Sequence, residues 1–242
     1  MVSLKYEEFH SRTHIQERII RADNFTYRTL IPYIDKYLVR NKRVLDIGSG
    51  AGTLCFYFAK RSKNITGIDI SKNAVEASTQ TAKNLNLKNV KFKQMNFPQE
   101  VPSGKFDFII FTEVIEHLED DERALMEIYQ LLDTDGLLYL STPSVNAPLH
   151  KIGYSKAFDQ RVGHVRRYEP DKLTEMIEDA GFKILEVRRQ EGIVRNFLFL
   201  NSVAGKFIRY IKYYISDLVT AVDNLSIGML GESNIVVIAK KI

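Results

Sequence analysis

Short apolar runs alternate with segments of helical periodicity along most of the chain. The clearest run, Phe106–Thr112, is almost continuously apolar, which is typical of a parallel strand covered on both faces. Six further strands are predicted at 43–47, 64–70, 90–95, 137–141, 182–189 and 234–240. Helices are predicted at 24–38, 53–60, 73–85, 121–132 and 170–180. This alternation indicates an α/β fold, a doubly wound, mostly parallel sheet with helices on both faces.

The length of the chain limits the number of domains. A sequence of 242 residues, 45% of them hydrophobic, is enough for one full-sized core and short for two. We therefore predict a single domain over 1–242. It would carry an N-terminal helical arm at 1–40 and a helical insertion or lid at 192–231, between the last two strands.

Charge and cysteine content narrow the class of protein. The net charge is +4, with no dense Lys/Arg cluster, so we expect no nucleic-acid partner. The only cysteine, Cys55, cannot form an internal disulfide, and its apolar surroundings predict a small core residue. The sequence shows no signal-peptide core and no apolar run long enough to span a membrane. We expect a cytoplasmic protein.

The most informative stretch is Val44–Gly52, an apolar strand that ends in an acid and three alternate glycines. Glycines at Gly48, Gly50 and Gly52 predict a tight turn that a ligand can approach closely, with backbone N–H groups forming a polar cradle. The third glycine comes one residue too early for a dinucleotide fingerprint, and no Lys follows as in a phosphate-binding loop. Asp46 beside the turn would repel a phosphate and attract a cation.

With these residues the chain resembles the class I S-adenosylmethionine-dependent methyltransferases. The resemblance extends over four motifs in order, and it implies a Rossmann-like seven-stranded sheet whose last strand is antiparallel. Asp69, at the end of the second strand, matches the acid that holds the ribose hydroxyls. Ile70 would pack on the adenine, and Asn96 stands where the family usually has an Asp. Capping of the following helices is the alternative role for Asp46 and Asp69.

The residues assigned to S-adenosyl-L-methionine binding share a position at the carboxyl ends of the predicted strands. They are Asp46, Gly48, Ser49, Gly50, Gly52, Asp69, Ile70, Asn96, Phe97 and Thr112.

Three residues are candidates for catalysis: Glu113, His117 and His164. An imidazole titrates near neutral pH and can remove a proton from an acceptor, and we favour His164 narrowly over His117. Glu113, Glu116 and His117 lie at i, i+3 and i+4, which would place them on one face of a helix. The stretch resembles one in ubiquinone-pathway O-methyltransferases that is associated with a divalent metal. A metal-free carboxylate cluster with a structural histidine is an equal alternative.

The sequence says less about the molecule that accepts the methyl group than about the cofactor. We expect a methyl transfer to a small-molecule or lipid-like acceptor, at oxygen. The alternatives are transfer to carbon or nitrogen, transfer to a glycan or lipid-linked intermediate, or an inactive cofactor-binding interaction module. Basic and apolar residues alternate at helical spacing within 203–222, so this segment is a lid, a peripheral membrane contact or a dimer contact. The protein is then a monomer or a homodimer.

Overall fold

The computed structural model describes residues 15–40, 42–201 and 218–242. Its centre is a seven-stranded sheet with the strand order β3-β2-β1-β4-β5-β7-β6. The strands are β1 (Arg43–Ile47), β2 (Asn64–Asp69), β3 (Val90–Gln94), β4 (Phe106–Thr112), β5 (Leu132–Pro143), β6 (Phe182–Gln190) and β7 (Asn234–Lys241). β1 to β5 pair in parallel, whereas β7 runs antiparallel to both β5 and β6. The predicted sheet, including its antiparallel last strand, is confirmed.

Helices connect these strands and flank the sheet. They are α1 (Ile31–Tyr37), α2 (Thr53–Phe58), α3 (Lys72–Asn84), α4 (Asp121–Leu131), α5 (Pro148–Lys151), α6 (Lys156–Val162), α7 (Pro170–Asp179) and α8 (Ile193–Leu200). A short 3-10 helix spans Ile115–His117, and a further helix, α9, has its described part at 218–230. The sequence did not predict α5 or α6, because neither carries a long apolar repeat, whereas α8 lies within the helical insertion predicted at 192–231.

Two predicted boundaries are wrong. The first helix begins at Ile31, not at residue 24, and turns precede it. Pro32 lies in the first turn of this helix, where a backbone N–H has no partner within the helix, so its absence costs nothing. In a helix that began at residue 24, Pro32 would lie in the interior and one backbone hydrogen bond would be lost. The fifth strand begins at Leu132, not at residue 137, and contains a bulge, since Phe106 pairs with Leu132 and Phe108 with Leu137.

The core consists of two apolar layers, one on each face of the sheet. Alternate residues of β4 divide between the layers, with Ile109 and Phe111 in one and Phe108 and Ile110 in the other. All four are almost completely buried. Burial on both faces explains why β4 has no polar alternation in the sequence.

The insertion before β7 is anchored by a buried acid. Asp223 of α9 accepts hydrogen bonds from the backbone N–H groups of Gly192 (2.8 Å) and Arg195 (2.9 Å) at the start of α8. The opposite face of α9 is apolar and exposed, with Leu225 73% and Met229 80% accessible. Among the described residues, no helix is long and apolar enough to cross a membrane. Most of the segment 203–222 lies outside the described residues.

Candidate active site

The glycine turn after β1 depends on glycine for its shape. Gly48, Gly50 and Gly52 have φ angles of +71°, +50° and +76°, a region that other residues rarely adopt. A Cβ on Gly48 would come within 2.3 Å of the Val114 side chain. A Cβ on Gly52 would come within 2.6 Å of the Phe92 ring. The predicted tight turn is therefore present. It requires glycine both because of its backbone conformation and because neighbouring side chains leave no room for a Cβ atom.

The N–H groups of this turn are used inside the protein. Gly48 and Ser49 donate to the Ile68 carbonyl at 2.8 and 3.0 Å, and Gly50 donates to Asp69 Oδ2 at 2.8 Å. The predicted cradle of N–H groups is therefore wrong for these three residues, because β2 accepts their hydrogen bonds. Because these three N–H groups already donate to acceptors within the protein, they are not available to bind a phosphate. The buried Ser49 hydroxyl has no protein partner and is left for a ligand.

Asp69 retains hydrogen-bonding capacity beyond its two protein contacts. Its Oδ2 accepts from Gly50 and its Oδ1 accepts from the Ser71 N–H at 2.9 Å. An ionised carboxylate has about four acceptor positions, so two remain for a vicinal diol. The cap of α3 is the Ser71 hydroxyl, which accepts from the Ala74 N–H at 3.2 Å. Asp69 is thus not the side-chain cap of that helix.

Asp46 is a buried acid at the end of β1. Burial raises the pKa of Asp46 to about 7, against a smaller lowering by the hydrogen bond from the Cys55 thiol at 3.1 Å. The α2 helix begins after Gly52 with no side-chain cap, so Asp46 does not cap it. A buried acid with this pKa is stabilised in its charged form by a cation. This property fits a sulfonium or ammonium ligand.

These groups line a cleft of about 520 Å³ at the carboxyl ends of the strands. Nine of the ten predicted cofactor residues form its wall: Asp46, Gly48, Ser49, Gly50, Asp69, Ile70, Asn96, Phe97 and Thr112. Gly52 is not part of the wall and instead precedes α2. The free acceptor positions of Asp69, the Ser49 hydroxyl and the buried acid match a cationic nucleoside, and S-adenosylmethionine fits this set.

The N-terminal arm closes one side of the cleft. Thr26, Tyr27 and Leu30 line it. The Gln16 side-chain amide donates to the Ala51 carbonyl at 3.0 Å and to Thr53 Oγ1 at 2.9 Å, which holds the arm against the glycine turn. Sequence reasoning missed these residues because scattered Gln, Thr and Tyr residues have no motif of their own.

Glu113 does not lie on a helix with Glu116 and His117. Its φ of +54° marks a turn directly after β4, and the following 3-10 helix begins at Ile115. Glu113 Oε1 accepts hydrogen bonds from the Asn234 amide at 2.7 Å and the Ser141 hydroxyl at 2.9 Å. Burial raises the pKa of Glu113. The expected one-face trio is therefore wrong, because the chain turns sharply at Glu113 and ties its carboxyl group to the sheet.

A different trio comes together beside the cleft. Glu116, His117 and His164 each offer one ligand atom, and these atoms lie within 4.8 Å of one another. Glu116 Oε1 is 3.9 Å from His117 Nε2 and 3.8 Å from His164 Nε2. The two imidazole rings are 4.8 Å apart between centroids. His117 lines the cleft, and the two candidate histidines lie close together although 46 residues separate His117 from Gly163, the neighbour of His164.

The burial of Glu116 has an electrostatic consequence. Its side chain is fully buried, and Oε2 accepts a hydrogen bond from Thr142 Oγ1 at 3.0 Å. Burial raises the pKa of Glu116 well above its ordinary value, and the neighbouring Glu113 raises it further. A positive charge beside Glu116 would oppose both effects.

The segment around His164 is held by Asp159. Asp159 Oδ1 lies 3.0 Å from His164 Nδ1, and the Arg167 guanidinium contacts both oxygens at 2.7 and 3.0 Å. Burial alone would raise the pKa of Asp159, but the hydrogen bonds from His164 and Arg167 hold it well below its ordinary value. Arg166 is paired with Asp121 at 2.5 Å. Both guanidinium groups therefore have carboxylate partners in the protein, which leaves them poorly suited to holding an anionic substrate group.

Comparison with known proteins agrees with this site. A sequence model of the methyltransferase domain family matches residues 18–187. A ubiquinone biosynthesis O-methyltransferase of Coxiella burnetii is 27% identical over 166 residues, covering 65% of this chain and 70% of that protein. Another protein of the same name, from Rickettsia typhi, is 24% identical over 219 residues, covering 85% of this chain and 86% of that protein.

Solved structures share the fold. The YcgJ protein of Bacillus subtilis superposes with a TM-score of 0.61 at 22% identity, covering 89% of this chain and 98% of that chain. At this identity the likeness concerns the fold alone. The acid-lined cleft, the ordered motifs and the family match together identify the chain as an enzyme: it belongs to the S-adenosylmethionine-dependent methyltransferase family.

Proposed function

We propose that this methyltransferase transfers the methyl group to a hydroxyl oxygen of a small, partly apolar acceptor. The observation that carries the proposal is the position of His117 in the wall of the cleft that also contains Asp46, Asp69 and the glycine turn. The relatives named as ubiquinone biosynthesis O-methyltransferases support oxygen as the acceptor atom. An acceptor of the phenol or catechol type is the substrate class we infer.

The histidine pair is the element through which the acceptor loses its proton. His117 Nδ1 lies 3.2 Å from the Gly163 carbonyl, which can only accept, so Nδ1 carries the hydrogen and Nε2 keeps its lone pair. His117 therefore presents a proton acceptor at the cleft wall, and the His164 ring packs against it with centroids 4.8 Å apart. S-adenosylmethionine supplies, when bound, a methyl carbon whose bond to sulfur breaks as the acceptor oxygen attacks in line.

Apolar side chains around the histidine favour an apolar acceptor body. Val114, Leu118, Val162 and Phe199 line the same cleft. They exclude water, which strengthens the electrostatic contacts of the few polar groups among them. Phe199 belongs to α8, the first helix of the 192–231 insertion, so we assign this insertion a role as a wall or lid of the acceptor site.

Enzyme assays with S-adenosylmethionine and simple catechols, phenols and amines test the proposal. We expect methyl ether products by mass spectrometry, and a loss of turnover of about 100-fold or more in His117→Ala. His150→Ala is the matched control, because His150 hydrogen-bonds Ser155 and does not line the cleft. Methylated amines or carbon-methylated products would favour the nitrogen or carbon alternative, and wild-type turnover in both His117→Ala and His164→Ala would refute the role of the pair.

We further propose that the exposed face of α9 contacts an anionic membrane surface from which a lipid-like acceptor is taken up. Leu218, Val222, Leu225 and Met229 recur on this face and are 48–80% exposed. Elsewhere on the surface, α5 and α6 carry the exposed cations Lys151 and Lys156. Apolar side chains combined with cations are typical of helices that lie in the interface of anionic bilayers. Cytoplasmic location remains the prediction from the single cysteine.

Vesicle flotation distinguishes this surface from a dimer contact. We expect the protein to float with vesicles containing phosphatidylglycerol and to float less with neutral vesicles. Leu225→Ser/Met229→Ser should weaken flotation at least several-fold, whereas Met126→Ser, a change at an exposed residue of α4, should not. Absence of flotation together with a dimer mass in light scattering would show that the face is covered by a second copy.

A further inference from the structure

We propose that the acceptor site includes a buried polar subsite, formed by Gln190, Arg195 and Asn234, that binds a neutral carbonyl-bearing substituent of the carboxamide type. The inference rests on the proposed function, since the subsite adjoins the cleft in which the acceptor is methylated. It adds a contact that determines which acceptor binds, whereas the histidine pair acts on the hydroxyl group that is methylated.

These three side chains are buried but incompletely hydrogen-bonded. Gln190 is 6% exposed, Arg195 3% and Asn234 8%. Among the described residues, no partner is found for either amide atom of Gln190, for Nε and Nη1 of Arg195, or for Oδ1 of Asn234. Burying polar atoms without hydrogen bonds is costly, so a group of them indicates a place that a ligand or water completes.

The register of the sheet places two of these side chains side by side at the cleft. Gln190 of β6 is the Cα partner of Asn234 in β7, and partners in an antiparallel pair project their side chains to the same face of the sheet. The Asn234 amide donates to Glu113 Oε1 at 2.7 Å, and Glu113 lines the cleft. Gln190 therefore neighbours a residue that directly contacts the cleft wall.

Arg195 is held at the cleft by the N-terminal arm. Its Nη2 donates to the Phe25 carbonyl at 2.9 Å and to Glu191 Oε1 at 3.2 Å, and its guanidinium lies 4.6 Å from the centroid of the Phe25 ring. Phe25 precedes Thr26 of the cleft wall, and Phe199 of the same wall follows Arg195 by one turn of α8. The guanidinium is thus fixed in place while its Nε and Nη1 keep their hydrogen-bonding capacity.

The hydroxyl of Tyr139 connects the two parts of the subsite. It is completely buried and has no hydrogen-bond partner among the described residues. Burial raises the pKa of Tyr139 well above its ordinary value, and the carboxyl groups of Glu113 and Glu191 raise it further. Glu113 is the group bonded by Asn234, and Glu191 is the group bonded by Arg195. The two parts therefore lie near one buried hydroxyl, which is a further donor for a ligand.

The unpaired atoms favour a neutral substituent that both accepts and donates hydrogen bonds. Arg195 and Gln190 offer N–H donors, whereas Asn234 and Gln190 offer carbonyl oxygens. A carboxamide supplies an oxygen for the donors and N–H groups for the carbonyl oxygens. A carboxylate would leave those oxygens unpaired, and it would bring a second negative charge to Arg195, which Glu191 already neutralises.

Three catechols that carry a carboxamide, a carboxylate or a methyl group at the same ring position test the subsite. With the wild-type enzyme, the KM of the carboxamide should be about tenfold or more below that of the methyl compound. Gln190→Met keeps the size of the side chain and removes the amide. It should raise the KM of the carboxamide about tenfold, while the kcat and KM of the methyl compound change by less than about twofold.

Stability measurements and two further variants separate recognition from a structural role. Gln190 loses no hydrogen bond to the protein on replacement, so the urea midpoint of Gln190→Met should equal or exceed that of the wild type. Arg195→Met should show the same selective rise in KM, with circular dichroism checking its fold. Gln130→Met, the same change at an exposed residue of α4, should keep the wild-type KM for all three catechols.

Calorimetry with the same catechols and the enzyme saturated with S-adenosylhomocysteine distinguishes this inference from the proposed function. Preferred binding of the carboxamide that depends on Gln190, without methyl transfer, would support the subsite and refute the proposed function. Methyl transfer to all three catechols without any preference would do the reverse. The subsite is overturned if the carboxylate binds more tightly than the carboxamide, or if none of the three binds. It is also overturned if Gln190→Met lowers the urea midpoint and leaves binding unchanged, since the amide would then hold structural water.

Discussion

Replacing Asp46 by Asn should make the free enzyme more stable at alkaline pH. Asp46 is 2% exposed, and burial raises its pKa from the ordinary 3.8 to about 7. The folded chain therefore binds this proton more tightly than the unfolded chain does. The stabilisation from the neutral carboxyl is complete below pH 3.8 and is lost as the pH rises through 7.

The expected size follows from this pKa difference. Each factor of ten in proton affinity corresponds to about 1.4 kcal/mol, so the change from 3.8 to about 7 amounts to about 4 kcal/mol at pH 8. Asparagine has nearly the same shape, stays neutral and can accept the Cys55 thiol hydrogen bond. The free energy of unfolding of Asp46→Asn should thus equal that of the wild type near pH 4 and exceed it by about 4 kcal/mol at pH 8.

Urea denaturation of both proteins at several values between pH 4 and pH 8.5 measures this difference. Subtracting the two curves removes the contributions of Glu113 and Glu116, whose pKa values are also raised by burial. The affinity for S-adenosylmethionine should show the opposite preference, because the positive charge of this ligand favours ionised Asp46. The affinity of the wild type should increase as the pH rises through 7, and Asp46→Asn should bind the ligand more weakly than the wild type. A constant difference in unfolding free energy across the whole pH range would refute the reasoning.

Three further predictions concern the turn and the site. Gly52→Ala should cost about 2–4 kcal/mol in urea denaturation, because it combines a φ of +76° with a contact of 2.6 Å to Phe92. Gly104→Ala, at a φ of +104° with no atom within 4 Å, should cost only the backbone strain of about 1–2 kcal/mol; equal costs would contradict the packing argument. Asp69→Asn should weaken S-adenosylmethionine binding by about 10- to 100-fold in calorimetry, since the amide replaces an acceptor of charge-assisted bonds, and unchanged affinity would exclude the ribose contact. Tyr168→Phe should lower the unfolding free energy by about 1–3 kcal/mol through loss of the bond from its hydroxyl to Asp121 at 2.7 Å, and a neutral effect would show that this bond contributes nothing net.

The sheet and most of the cleft residues could be predicted from the sequence alone. Strands such as β4 are recognisable because burial on both faces demands a continuous apolar run. The turn residues Gly48 and Gly50 are recognisable because their φ angles of +71° and +50° exclude most side chains. Asp46 and Asp69 follow directly because the carboxyl ends of adjacent parallel strands meet at one edge of the sheet. Each of these features restricts which residue types are allowed within a short stretch of chain, so a short stretch of sequence is enough to predict it.

Contacts between segments that are distant in sequence could be recognised only in the folded chain. Sequence spacing placed Glu113 in one group with Glu116 and His117. In the structure, the backbone of Glu113 has a left-handed conformation, and its carboxyl group hydrogen-bonds Asn234, 121 residues away. The same fold brings His164 to Glu116 and His117, although no periodicity links them. The arm residue Gln16 likewise reaches the glycine turn only in the folded chain. These contacts depend on how distant segments pack against one another, and no local pattern of side chains predicts them.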